Sequence, residues 1–167
     1  PMSNLTNGCF DAVIDIDNKD LKPYDIRNRT NVLEELQKAY LFDSILFPAT
    51  QYGRMLAPSL AMRLHSGLVA DVTGIQRIEE TVEMIRPTFG GKLMARIVMK
   101  NRTPLMMSVN PNAFEYRETD LKRTEMIEYN PKLYIKSGIE FLESRPKESE
   151  DIRDSEILVS GGGGAMR

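Results

Sequence analysis

The 167 residues are 41% hydrophobic and 28% charged, with a formal net charge of −2, a composition that suits one globular domain of mixed helix and strand. Charges of both signs are interspersed, leaving no basic field to neutralise phosphates, so nucleic acid is excluded as a partner. The single cysteine, Cys9, and single histidine, His65, exclude an internal disulfide, iron–sulfur clusters and the usual zinc sets and suit a reducing, cytoplasmic setting, while no apolar run approaches the roughly 20 residues of a membrane span.

Residues 12–16 (Ala-Val-Ile-Asp-Ile) are a short apolar run closed by Asp17-Asn18, the pattern of a buried strand and a turn. After a loop containing Pro23, Asn31 and Glu34 have the spacing of a capping box. That spacing predicts a helix over residues 31–40, with Val32, Leu36 and Tyr40 on its apolar face. Residues 44–49 are almost continuously apolar, the signature of a parallel strand covered on both faces. Gln51-Tyr52-Gly53-Arg54 leads into a second helix, residues 54–65, with Pro58 near its first turn and Leu56, Leu60 and Leu64 facing inward. Residues 67–74 read as the next strand.

From Glu80 the pattern changes to short segments of β character separated by turns. Antiparallel strands are expected over residues 81–86, 93–100, 103–109, 123–128 and 139–143. Gly90-Gly91, Asn101-Arg102 and Asn110-Pro111-Asn112 supply the turns. Residues 113–157, rich in charge, read as solvated edge strands and a linker. Residues 156–159 read as a further buried strand running into four glycines. The predicted fold class is α/β: a three-layer sandwich with a mixed sheet, parallel β-α-β units in the first half and antiparallel strands in the second.

Three co-linear stretches carry a family resemblance. The first is Phe47-Pro48-Ala49-Thr50-Gln51-Tyr52-Gly53-Arg54-Met55-Leu56-Ala57-Pro58, followed by Gly67-Leu68-Val69-Ala70-Asp71-Val72-Thr73-Gly74. The second is Arg86-Pro87-Thr88-Phe89-Gly90-Gly91, and the third is Ile157-Leu158-Val159-Ser160-Gly161-Gly162-Gly163-Gly164. Over residues 12–164 the chain resembles the alpha subunit of electron transfer flavoproteins. The matching features are that family's Gly-Arg-x-Leu-Ala-Pro helix and x-Ala-Asp-x-Thr strand, its Arg-Pro-x-Phe-Gly-Gly segment, and the glycine turn that opens its flavin domain.

The resemblance implies a heterodimer with a beta subunit and flavin adenine dinucleotide (FAD) held mainly by the second domain of alpha. It implies an electron carrier without substrate turnover of its own, receiving electrons from dehydrogenases such as acyl-CoA dehydrogenases. It divides the chain into residues 1–155, an amino-terminal domain lacking its first strand and helix, and residues 156–167, the start of a flavin-binding domain. The family's turn reads Gly-Gly-Arg-Gly, its arginine a flavin-site residue, and Gly163 stands at the matching position.

Ser160, Gly161, Gly162, Gly163 and Gly164 are the candidate cofactor-binding residues, because a backbone without Cβ atoms can approach a cofactor and direct N–H groups at it. No catalytic residue and no metal ligand is assigned. Gly53-Arg54 at a helix start could hold an anion, as in a small adenine-nucleotide-binding module; the alternative is a tight turn with a surface arginine. Arg86 is expected either to pair with a carboxylate such as Asp71 or to face solvent. Asp71 and Thr73 alternate onto one strand face. His65-Ser66 lacks the Gly-x-Ser-x-Gly setting of a nucleophile, and most of the ten methionines read as core filler.

Overall fold

The computed structural model describes residues 7–8, 10–115, 122–132, 136–145 and 155–166. In chain order the elements are β1 (Asn7–Gly8), β2 (Ala12–Asp15), α1 (Ile26–Tyr40), β3 (Ser44–Pro48), α2 (Gln51–Arg63), β4 (Leu68–Val72), β5 (Gly74–Ile78), β6 (Thr81–Thr88), β7 (Leu93–Val98), β8 (Leu105–Val109), β9 (Lys122–Arg123) and β10 (Glu125–Glu128). Short 3-10 turns cover Pro111–Ala113 and Gly163–Met166.

Strand alternation on β8 builds the domain. β8 lies between β3 and β4 and runs parallel to both. Successive side chains of a strand point to opposite faces, and here both faces are covered. Met106 is buried with Phe47, Leu56, Ala57, Leu60 and Ala61 on the side of α2. Met107 is buried with Val69, Val72 and Met84 on the other side. Met84 belongs to β6, the middle strand of the antiparallel sheet β5–β6–β7. The layers are therefore helices, parallel sheet and antiparallel sheet, the three-layer α/β arrangement the sequence predicts. The two kinds of strand occupy separate sheets, so the mixture is between layers.

The chain crosses from one sheet to the other at Thr73, whose backbone N–H donates to the Ile85 carbonyl at 2.8 Å. Separately, β2 pairs in parallel with β10, and β1 pairs antiparallel with β9.

Several predicted boundaries and pairings are corrected. Helix α1 begins five residues before the predicted start, because Asp25 is its cap: the carboxylate accepts from the Asn28 backbone N–H at 3.1 Å. Asn31 and Glu34, with their capping-box spacing, lie inside the helix instead. Asp is as good a cap as Asn, and it is the Asp25 carboxylate that meets the free N–H groups of the first turn. Tyr40 leaves the apolar face and stacks on Phe42, centroids 5.6 Å apart.

Helix α2 begins at Gln51 under a Thr50 cap, so Pro58 lies in its interior and not near its first turn. β3 is an edge strand covered on one face only: Phe47 is buried while Leu46 is 52% exposed. The covering of both faces that its apolar run predicts belongs to β8. That strand, residues 103–109 of the prediction, is parallel and central, and β10, within residues 123–128, is parallel too. β5, which follows β4 after one residue, is a further strand that the sequence reading lacks.

Residues 139–143 and 156–159 form no strand, and Phe141, Leu142, Ile157 and Val159 are exposed. A strand needs a hydrogen-bonded neighbour, and no described residue supplies one to either segment. Part of the predicted linker, residues 116–121, 133–135 and 146–154, lies outside the described residues.

The two-sided core makes a contrast between positions. Leu60 is fully buried between α2 and β8, so Leu60→Ala is expected to cost about 2–5 kcal/mol in urea unfolding. Leu46→Ala, on the uncovered face of β3, is expected to change stability by less than about 1 kcal/mol. Equal losses at the two positions would contradict the assignment of the covered face.

Candidate functional site

Parallel strands put their carboxyl ends at one edge, which is where open α/β sheets usually take ligands. Three groups of residues matter: that edge, the adjoining heads of the two helices, and the glycine segment.

At the edge, β3 turns directly into α2. Thr50 accepts from the Gly53 backbone N–H at 3.2 Å, and Gly53 is required because a Cβ there would collide with the Pro48 carbonyl oxygen. The tight turn places Arg54 against the end of β4, where its Nη2 meets Asp71 Oδ1 at 2.8 Å. β4 is irregular at this point: its register on β8 shifts between Val69 and Val72, and Asp71 has φ 54°. The irregularity is held from β8, since the Asp71 backbone N–H donates to the buried Ser108 hydroxyl at 2.9 Å.

Arg54 is therefore the surface arginine of a tight turn, its charge already paired, which leaves the anion-site alternative without support. Arg86 does not pair with Asp71, and it is only partly exposed. Asp71 is taken by Arg54, and Arg86 Nε is buried without a hydrogen-bond partner.

At the helix heads, Asp25 is buried and accepts from the Asn28 amide nitrogen, Nδ2, at 2.7 Å as well as from its backbone. Burial pushes its carboxyl up, but the Asn28 side chain and backbone, the Ser137 hydroxyl and the Arg27 charge together hold it below the ordinary value. Beside it, Tyr52 from the start of α2 meets Tyr24 edge-on at 5.7 Å and lies under the Arg29 guanidinium at 5.6 Å. Burial raises the Tyr52 hydroxyl above its ordinary range, with Arg29 opposing and Asp25 and Tyr24 adding to the rise. This cluster fastens the start of α1 to the start of α2. Nothing in the apolar periodicity marks it; its sequence signal is Asp25-x-x-Asn28, a cap spacing upstream of Asn31.

Further along the helices, Glu34 accepts from Lys38 at 2.7 Å and from Arg63 Nε at 2.8 Å, while Asn31 accepts from Arg63 at 2.9 Å. The residues of the predicted capping box thus tie α1 to α2. The Lys38 contact, against the opposing effect of burial and with help from Arg63, lowers the Glu34 carboxyl below its ordinary value.

Ser66 donates to the Pro104 carbonyl at 2.7 Å, and the His65 carbonyl accepts from Arg102 at 3.2 Å, so both are engaged in holding the loop after α2. Among the described residues no group of three His, Cys, Asp or Glu side chains is placed to hold a metal.

Ser160, Gly161, Gly162, Gly163 and Gly164 are exposed, and nothing lies within 4 Å of where a Cβ would stand on Gly162, Gly163 or Gly164. The open backbone fits one requirement of cofactor contact, that a ligand can come close. The side chains add no charge there, Gly163 included.

Residues 5–132 match the family model described as the electron transfer flavoprotein domain. The chain is 36% identical to the protein FixB of Clostridium saccharobutylicum, over 98% of this chain and 50% of that protein. It is 34% identical to the electron transfer flavoprotein subunit alpha of Thermoanaerobacterium thermosaccharolyticum, over 92% of this chain and 48% of the relative. It is also 36% identical to the lactate dehydrogenase (NAD(+),ferredoxin) subunit LctC of Acetobacterium woodii, over 92% of this chain and 38% of that subunit. The chain spans about half the length, or less, of these relatives.

The depressed carboxyls give the fold a pH dependence of definite sign. Asp25 and Glu34 ionise more readily folded than at their ordinary values of 3.8 and 4.5. The unfolded chain therefore binds more protons through this range, and stability falls as pH falls. Their contribution is complete above about pH 5 and drains as pH drops through the folded-state values. Thermal melting should be flat in this respect from pH 7 to 5 and then decline. Asp25→Asn should melt lower than the parent at pH 7 and show a shallower acid decline; a decline parallel to the parent's would remove Asp25 from the explanation.

Proposed function

The chain belongs to the electron transfer flavoprotein family, in its alpha-subunit type, and from that premise we propose that it is the supporting body of an alpha subunit that carries electrons between proteins. The observation that carries this reading is the family match over residues 5–132, continuous across both helices and both three-stranded sheets. In this reading residues 1–155 are the amino-terminal domain and residues 156–167 the start of the flavin-binding domain. The body docks a beta subunit and holds the flavin domain at a usable angle.

The cofactor proposed is FAD, which when bound supplies the redox chemistry. Ser160, Gly161, Gly162, Gly163 and Gly164 would contribute backbone N–H groups toward it, supported by their open surroundings. The engaged state of Arg54, Asp71, Ser66 and Glu34 in internal contacts favours a carrier over an enzyme with its own substrate. The electron donor proposed is a dehydrogenase of the acyl-CoA class. A second donor, a lactate dehydrogenase, is favoured by the name of the LctC relative. The setting proposed is the cytoplasm; among the described residues no helix is long and apolar enough to cross a membrane.

Co-expression tests the reading. This chain and an electron transfer flavoprotein beta subunit from the same organism should co-purify as an equimolar complex, and the full-length alpha subunit with that beta subunit should carry flavin absorbance that a dehydrogenase substrate bleaches. Failure of the pair to associate, together with a colourless full-length complex, would end the proposal.

A further inference from the structure

β6 pairs with β5 only as far as Ile85, whose partner is Gly74, whereas its pairing with β7 continues through Arg86↔Ala95, Pro87↔Met94 and Thr88↔Leu93. Beyond Ile85 the antiparallel sheet therefore narrows to a two-stranded ribbon. It is closed by Gly90 and Gly91 at positive φ, with Gly91 N–H donating to the Thr88 carbonyl at 3.0 Å.

An isolated two-stranded ribbon is marginal in water unless its faces are covered. Burial decreases sharply along this one. Met84, at its root, is fully buried against the parallel sheet, yet Leu93 is 59%, Met94 57% and Phe89 79% exposed. Phe89 also has φ 50°, a conformation costly for a bulky residue, so the tip presents an aromatic ring to solvent from a strained position.

Charge supplies the second half of the case. By strand alternation Arg86 is on the face of Met84, turned toward the interior. Its Nε is shut off from solvent with no acceptor, and among the described residues its guanidinium makes no hydrogen bond or ion pair. A partly buried cation left unpaired is costly. The Asp71 carboxylate is occupied by Arg54.

The edge of the ribbon does not invite strand addition. Ile85 directs its carbonyl to Thr73, and Pro87, two residues on and facing the same side, has no N–H to offer. Contact has to go through side chains.

We propose that the ribbon of residues 86–95 is the arm by which this chain grips its beta subunit, with Phe89, Leu93 and Met94 covered by apolar side chains of the partner and Arg86 paired to a carboxylate there. The inference rests on the alpha-subunit reading above and adds to it the surface used and the charge required of the partner. An apolar anchor beside an arginine is the usual make-up of the few residues that dominate an interface.

The test is calorimetric titration of this chain with the beta subunit from the same organism, alongside melting of the free chain. Phe89→Ala and Arg86→Met should each weaken binding about tenfold or more, with Arg86→Lys intermediate. The free Arg86→Met chain should melt at or above the parent's temperature, because no existing pair is lost. Binding unchanged in both Phe89→Ala and Arg86→Met would overturn the ribbon while leaving the alpha-subunit reading intact. An Arg86→Met chain that melts well below the parent would assign the arginine a structural role and overturn its pairing. A parent chain that does not bind the beta subunit at all would remove both.

Discussion

The constraint on which the structure depends is the burial of β8 on both faces. Met106 and Met107 are adjacent in sequence and each essentially inaccessible, one inside the helix-side core and one inside the sheet-side core. Neither core closes without that strand: the first would lose the floor under Leu56 and Leu60, and the second would lose what holds Met84 of β6 against Val69 and Val72. Because β8 separates β3 from β4 while running parallel to both, it also fixes which loops meet. The turns after β3 and β4 emerge at one edge, and there Arg54 reaches Asp71.

That edge shows how packing produces local chemistry. Ser108 follows Met107 on β8 and is itself buried, so its hydroxyl needs partners within the sheet. It accepts from the Asp71 N–H, a bond available because β4 is irregular and Asp71 has left the extended conformation. The displaced carboxylate then meets Arg54, whose own position follows from the close approach of Gly53 to Pro48. An ion pair with both partners substantially exposed contributes about 1 kcal/mol at most. Its consequence lies in occupancy, since Asp71 is thereby engaged with Arg54 and does not pair with Arg86.

What the sequence made legible follows from which interactions are local. The run Ser44-Ile45-Leu46-Phe47, the Leu56 and Leu60 spacing, the Gly90-Gly91 turn and the three-layer class all show in the order of side chains, because periodicity and turn chemistry act over a few residues. The partner of a strand does not show. Residues 105–109 follow two hairpin strands and read as their continuation, but they pair with β3 and β4 more than thirty residues away. The same non-locality hid β10 beside β2. Helix α1 illustrates a different failure, in which two local cap signals compete: Asn28 bonds Asp25 from three residues away, and the further support from Ser137 comes from a distance no local pattern covers. The proposed glycine site was legible only through the resemblance, since glycines alone specify an approachable backbone and not the ligand that approaches.

Exposed apolar side chains differ in how much they say. Leu46 on β3 and Val159 near the glycines lie open to water, and each asks only for something apolar to cover it, a request that many surfaces satisfy. Arg86 asks for more. The residue is partly buried and its Nε lacks an acceptor, so any surface that covers the ribbon without bringing a carboxylate would trap an unpaired cation and be disfavoured. Apolar area at Phe89, Leu93 and Met94 can provide attraction, and the arginine restricts which partner receives it. This combination in the segment Arg86–Ala95 makes a physical requirement on the partner.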